Sequence, residues 1–263
     1  MLNPNEVKAR SFAAPRVLVS SAAQFRAALQ GFWGMSRRFW WSAPAVLALS
    51  ILAAWLLFPL DHAWLDRLHA LYPAHEAQAR RVAWFFGTFG DYPTYNLPLS
   101  LALWLYGCLA KKSAWRRVAV ICFLGGTFAG LLDDCFRLTL GRPRPDAHMP
   151  DGFYGFPEAF RGRCQSFPSG HAAAVLGTAM ALLTVDLPLG ILTTLYALVV
   201  IWARMELNRH FPSDVLVGAL IGIWLGLLVG CGSRVRRSRP VRPGLVPVAS
   251  RPRNSVGQPV PAR

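Results

Sequence analysis

Three short stretches of this 263-residue chain combine residue types that can hold and react with a tetrahedral oxyanion. In Phe167-Pro168-Ser169-Gly170-His171, turn and helix-start chemistry is followed at once by an apolar run, Ala172 to Val185. Ser169, the Gly170 amide and His171 are therefore predicted at a helix N-terminus, where unpaired N–H groups and the helix dipole attract an anion. A histidine beside such a cradle can transfer a proton to or from a phosphate ester. A second stretch, Arg137-Leu-Thr-Leu-Gly-Arg142-Pro-Arg144-Pro145, brings Arg137 from a helix end and Arg144 from a proline-stiffened turn. Two such guanidinium forks can clamp one oxyanion. In the third, Arg204-Met-Glu-Leu-Asn-Arg209-His210-Phe-Pro212-Ser-Asp214, Pro212 reads as a first-turn residue with His210 just ahead of it. Asp214, four positions on, is expected to accept a hydrogen bond from His210 Nδ1–H and leave Nε2 as the free base.

The elements that must position these residues are apolar. Hydrophobic residues make up 54% of the chain and charged residues 16%, and the apolar residues lie in blocks, as in a polytopic membrane protein. Six spans are expected: 39–60, 92–110, 118–136, 172–185, 187–203 and 215–232. The fold class is thus all-α, a six-helix membrane bundle occupying residues 39–232. The fourth block is short for a bilayer unless residues 168–171 join its helix, which would recess the reactive end toward the membrane. Residues 61–90 carry two helical stripes (Trp64, Leu65, Leu68, Leu71 and Val82, Phe85, Phe86, Phe89) suited to an outer interface.

Before the bundle, residues 1–38 form a basic segment with no cleavable signal peptide apparent. Ser21 and Gln24 resemble a capping box opening a short interfacial helix. After it, residues 233–263 carry eight arginines and repeated prolines and read as a disordered basic tail. The net charge of +15 does not signal nucleic acid, because the basic residues collect at the ends of apolar blocks and no reader motif accompanies them. Alternating loops hold 18 and 10 Lys/Arg, so the positive-inside bias places both termini in the cytoplasm. All three chemical stretches then fall together on the outward face, which is periplasmic if the source is bacterial.

Other signals are weaker. The five cysteines show no zinc spacing; Cys135 and Cys164 fall on one side of the membrane, where a disulfide could form. His62, His69 and His75 lack metal spacing and read as solvated or packing residues. Asp133-Asp134 could be read as a magnesium-binding pair, but no third acid follows, and pairing with Arg137 on the same helix face fits better. No metal or other cofactor is expected.

Taken in order, Arg137-x6-Arg144-Pro145, Pro168-Ser169-Gly170-His171 and Arg204-x5-His210-x3-Asp214 resemble the type 2 phosphatidic acid phosphatase (PAP2) family, which shares its site with vanadium haloperoxidases and glucose-6-phosphatase. The resemblance covers about residues 60–232. Arg137 stands where the family usually has lysine, and Ala203 where it usually has serine; the first keeps the charge, the second removes a hydroxyl contact. The resemblance implies a metal-independent phosphohydrolase acting on a membrane lipid phosphate. His210 would attack phosphorus to give a phosphohistidine, with Asp214 holding the ring. His171 would protonate the leaving oxygen and then activate water. Arg137, Arg144, Arg204, Ser169 and Gly170 would bind the phosphoryl oxygens. Phosphatidic acid, phosphatidylglycerol phosphate, undecaprenyl diphosphate and lipid A phosphate are all candidates. Transfer of the phosphoryl group to another lipid, and a silent membrane protein that binds anionic lipid, are the alternatives. The loop 146–165 is expected to line the entrance, and oligomeric state is not readable.

Overall fold

A computed structural model describes residues 16–71 and 76–237, whose regular elements are all helical, with no strand among them. The helices are α1 (Arg16–Arg38), α2 (Ser42–Leu57), α3 (Asp61–His69), α4 (Glu76–Phe89), α5 (Leu97–Leu109), α6 (Ser113–Leu140), α7 (Gly170–Leu183), α8 (Leu187–Glu206) and α9 (Pro212–Arg237). Four stretches are long and apolar enough to cross a membrane: Ser42–His69, Ser113–Ala147, Leu187–Glu206 and Pro212–Arg234. The protein is an integral membrane protein. The other two expected spans are shorter helices, α7 with 14 residues and α5 with 13. A π-helical turn, Tyr92–Asn96, with the Asp91 carboxylate accepting from Tyr92 N–H, leads directly into α5.

α7 is the axis. It packs against α6, α8 and α9, and ten of its fourteen residues are buried, most of them Ala or Gly. Small residues let backbones approach where no hydrophobic driving force separates protein from lipid. The α6–α7 crossing shows why: a Cβ on Gly177 would lie 2.5 Å from the Gly125 carbonyl oxygen, and one on Gly125 would lie 2.6 Å from that of Gly177. α2, by contrast, buries only Ser50 and Ala54 and turns Leu47, Ile51, Trp55 and Leu56 outward.

Several local expectations change in three dimensions. Ser21 and Gln24 lie inside α1 rather than at its start. Their side chains are used for packing: Ser21 Oγ accepts from Trp104 Nε1, and Gln24 Nε2 donates to the Ser113 carbonyl. The helix begins earlier because residues 16–20 continue its pattern, so no cap is needed at Ser21. Of the first stripe after α2, Leu65 is buried whereas Trp64 and Leu71 are exposed. His62 bonds to Asp151 at 2.9 Å and its ring sits against Phe211. Cys135 is exposed, Cys164 is buried, and both are free thiols. His75, residues 1–15 and the tail from 238 onward lie outside the described residues.

Candidate active site

The three stretches meet at one end of the bundle. α6 stops at Gly141, which adopts φ +68°, a left-handed conformation that a residue with a Cβ resists. A Cβ there would also come within 2.8 Å of the Gly155 carbonyl. The chain then runs through Arg142-Pro143-Arg144-Pro145, with Arg144 extended and its amide bonded to the Arg163 carbonyl at 2.8 Å. Arg137 remains on the last turn of α6, where it is paired with Asp134. Gly170 opens α7, as expected from the turn chemistry. Ser169 occupies the N-cap position but makes no side-chain cap bond, so its buried hydroxyl is left over. Arg204 comes from the last turn of α8, and Pro212 opens α9 just after His210.

The two histidine rings face each other with centroids 6.4 Å apart. Each ring bonds to a backbone carbonyl, and a carbonyl can only accept. His210 Nδ1 lies 2.7 Å from the Ser166 carbonyl, so Nδ1 carries the proton and Nε2 the lone pair. His171 Nε2 lies 3.2 Å from the Gly87 carbonyl, so here Nε2 carries the proton. The rings thus hold opposite tautomers, and it is His210 whose Nε2 is left free as a nucleophile or base. Burial, then the positive charges of Arg204 and Arg144, push the His210 pKa well below its ordinary 6.5, so that the ring is neutral.

Asp214 differs from the expectation. Its Oδ2 is 4.0 Å from His210 Nδ1, too far for a hydrogen bond. Oδ2 instead accepts from Ser166 Oγ at 2.5 Å and from the Phe211 amide at 2.7 Å. The Ser166 carbonyl has taken the place expected for the carboxylate, because the turn before α7 lies between the two. Asp214 therefore reaches His210 through Ser166.

The anion-binding candidates share one property. Arg137 Nε, Arg144 Nε, Arg204 Nε and Ser169 Oγ are all buried polar atoms without a hydrogen-bond partner, a costly arrangement in an apolar setting. The Gly170 backbone lies beside them: a Cβ built there would sit 3.9 Å from the Arg137 guanidinium carbon and 3.2 Å from Asp133 Oδ2. A cavity of about 270 Å³ adjoins, lined by Asp91, Asp134, Arg137 and His171 together with Pro93, Leu131 and Ala174. Asp133 is fully buried with both oxygens unpaired. Asp134 is engaged by Arg137, as the helix-face spacing suggested. Among the described residues no group of three or more His, Cys, Asp or Glu side chains is arranged to hold a metal ion.

Sequence reasoning missed four participants. Arg142 stood in the first stretch without a role, yet it is 4% exposed and bonds Asp214, Ser213 and Asp61. Ser166 lay one residue outside the second stretch. Asp61, a lone acid ending an apolar block, was a signal available but unread. Asp91, whose Oδ1 is 3.7 Å from His171 Nε2, could have been found as a cap before Tyr-Pro. In the loop 146–165, Phe153 packs on Phe58 and Phe167, Asp146 pairs with Arg209, and Phe156 and Phe160 are exposed.

Comparison with known proteins gives the following similarities. Residues 114–237 match the PAP2 superfamily. A lipid A 1-phosphatase of Rhizobium johnstonii is 33% identical over 110 residues, 40% of this chain and 44% of that protein. An undecaprenyl-diphosphatase of Sulfolobus acidocaldarius is 39% identical over 64 residues, 24% of this chain and 31% of that protein. The matches thus span less than half the length of these curated relatives. Among solved structures, the crystal structure of Aquifex aeolicus LpxE aligns with 65% of this chain and 94% of its own at 23% identity and a TM-score of 0.46.

Proposed function

We propose that this chain, whose residues 114–237 match the PAP2 superfamily, is a lipid phosphatase that works through a phosphohistidine. The observation that carries the reading is the pair of oppositely protonated imidazoles, 6.4 Å between centroids, beside buried guanidinium nitrogens that have no protein partner. A phosphoryl group is the ligand chemistry that satisfies such donors.

In the first step His210 Nε2 attacks phosphorus in line, the bond to the leaving oxygen breaks, and His171, acting as the imidazolium, gives that oxygen its proton and is left as the neutral ring. In the second step His171, now the base, takes a proton from water. The resulting hydroxide displaces His210 and releases inorganic phosphate. Arg137, Arg144, Arg204, the Ser169 hydroxyl and the Gly170 amide carry the charge on the equatorial oxygens throughout, the largest electrostatic contribution in phosphoryl transfer. Asp214 does not touch the ring. It fixes Ser166, whose carbonyl sets the His210 tautomer.

Six membrane crossings fit this arrangement. Asp61 after α2, Asp91 in the turn before α5, Arg137 at the end of α6, His171 at the start of α7, Arg204 at the end of α8 and Asp214 at the start of α9 lie at or beside the site, in keeping with the alternation that six antiparallel crossings require. With the Lys/Arg bias of the loops, the site opens on the outward face and the termini are cytoplasmic. The substrate class is a lipid bearing a phosphate monoester or diphosphate, the class in the names of the lipid A 1-phosphatase and undecaprenyl-diphosphatase relatives.

The test is phosphate release by the purified full chain in detergent with EDTA, from phosphatidic acid, phosphatidylglycerol phosphate, undecaprenyl diphosphate and lipid A. Release from at least one, with radiolabel trapped on His210, is expected. No release from any, or release abolished by EDTA, overturns the reading.

A further inference from the structure

Asp61 lies far ahead of residues 114–237, at the end of the first apolar span, yet it is 1% exposed and embedded beside the site. Its Oδ1 accepts from the Ser213 amide at 2.9 Å, in the first turn of α9. Its Oδ2 accepts from Ser213 Oγ at 2.5 Å and from Arg142 Nη2 at 2.8 Å. Arg142 is held between the Phe58 and Phe211 rings, 4.2 Å and 4.3 Å from its guanidinium carbon, and its Nη1 donates to Asp214 Oδ1 at 2.6 Å.

We propose that Asp61 is a positioning residue for His210, acting through Arg142, Asp214 and Ser166. The inference rests on the reading of His210 as the group that attacks phosphorus. Each link is a short hydrogen bond between buried groups: Asp61 to Arg142, Arg142 to Asp214, Asp214 to the Ser166 hydroxyl. The Ser166 carbonyl then accepts a hydrogen bond from His210 Nδ1–H. The hydroxyl and the carbonyl belong to one residue, so the carboxylate that pins the first also aims the second. Asp61 supplies what Asp214 cannot. Arg142 has two donor faces, and with Asp214 alone one of them would be buried and unpaired, free to turn the guanidinium and release Asp214. Asp61 also ties the start of α9 to the first span through Ser213, which sets the height of the helix that follows His210.

Asp61→Asn is the direct test. The amide can still accept from the Ser213 N–H but meets Arg142 Nη2 with a donor. Activity is measured per folded protein on whichever lipid phosphate the wild type hydrolyses. Separately, nitrogen NMR of histidine-labelled protein reads the His210 tautomer without needing a substrate. Wild type is expected as a single Nδ1–H tautomer. The variant is expected to lose kcat about tenfold or more with KM within about twofold, and to show a tautomer mixture. Should Asp61→Asn not fold, Ser213→Ala, which removes only the bridging hydroxyl, decides the matter with a smaller shift in the same direction, about threefold in kcat. An unchanged His210 tautomer in the folded variant sinks the inference, whatever happens to kcat. If the wild type releases no phosphate but the tautomer responds to Asp61→Asn, the enzymatic reading fails and the link from Asp61 to His210 stands.

Discussion

Two clusters of charge occupy the same end of the bundle and are built on opposite plans. In the first, Asp61, Arg142 and Asp214, with Ser213 and Ser166, form a closed set in which the carboxylate oxygens accept and both guanidinium ends donate. In the second, Arg137, Arg144, Arg204 and Ser169 each keep a buried polar atom with no partner in the protein. A folded chain gains nothing by stranding donors in an apolar setting. The closed set is therefore the frame and the open set the binding surface, although both are made of the same residue types within a few positions of one another. Arg142 and Arg144 make the contrast sharpest: adjacent in sequence but for one proline, one is enclosed by two carboxylates and two aromatic rings, the other keeps a buried Nε with no partner.

Substitutions can break this contrast. The largest effect is expected from His210→Ala, which should reduce turnover by about a thousandfold or more while the thermal midpoint stays near that of the wild type. Retained turnover in that variant would remove the nucleophile. Next, Arg204→Ala should cost about 10²–10³ in kcat/KM with little loss of stability, since the side chain it removes is not internally paired at Nε. Arg142→Ala should behave in the opposite way. Leaving two buried carboxylates without their cation should destabilise the fold by about 3–5 kcal/mol, read by denaturant or thermal unfolding in detergent. If Arg204→Ala unfolds the protein and Arg142→Ala does not, the assignment of frame and surface is reversed.

The pH profile sharpens the comparison further. Burial and the neighbouring guanidiniums hold the His210 pKa below 6.5, so the imidazolium forms only at lower pH and the free base persists as pH falls through 6.5. The acid limb of kcat/KM assigned to His210 should lie below that value, and Arg204→Ala, by removing a positive neighbour, should move it up. A limb that stays put would mean that the open guanidiniums do not act on the ring. The smallest effect is expected at Asp134, which is half exposed and paired with Arg137. Asp134→Asn should change KM by no more than about threefold, because a solvent-screened pair contributes little.

Much of this arrangement was legible from local pattern. Apolar blocks announced the membrane helices, and Ser169-Gly170 and Pro212 marked helix starts within a residue of where they fall. Helix ends are written in adjacent residues, so periodicity and turn chemistry are enough to find them. The capping box at Ser21 failed for the same reason in reverse: a local signal was real as chemistry but was used for tertiary contacts with Trp104 and Ser113.

The sequence by itself determined that this is an all-helical membrane protein with three polar stretches at helix ends, because hydropathy and capping depend only on near neighbours. Tertiary structure alone decided which charges are enclosed and which are open. Asp61 and Ser213 are 152 positions apart, and the Ser166 carbonyl rather than Asp214 accepts the hydrogen bond from His210 Nδ1–H. Those choices follow from which atoms come within 3 Å of one another once the helix ends converge, and a hydrogen bond, unlike a periodicity, leaves no trace along the chain.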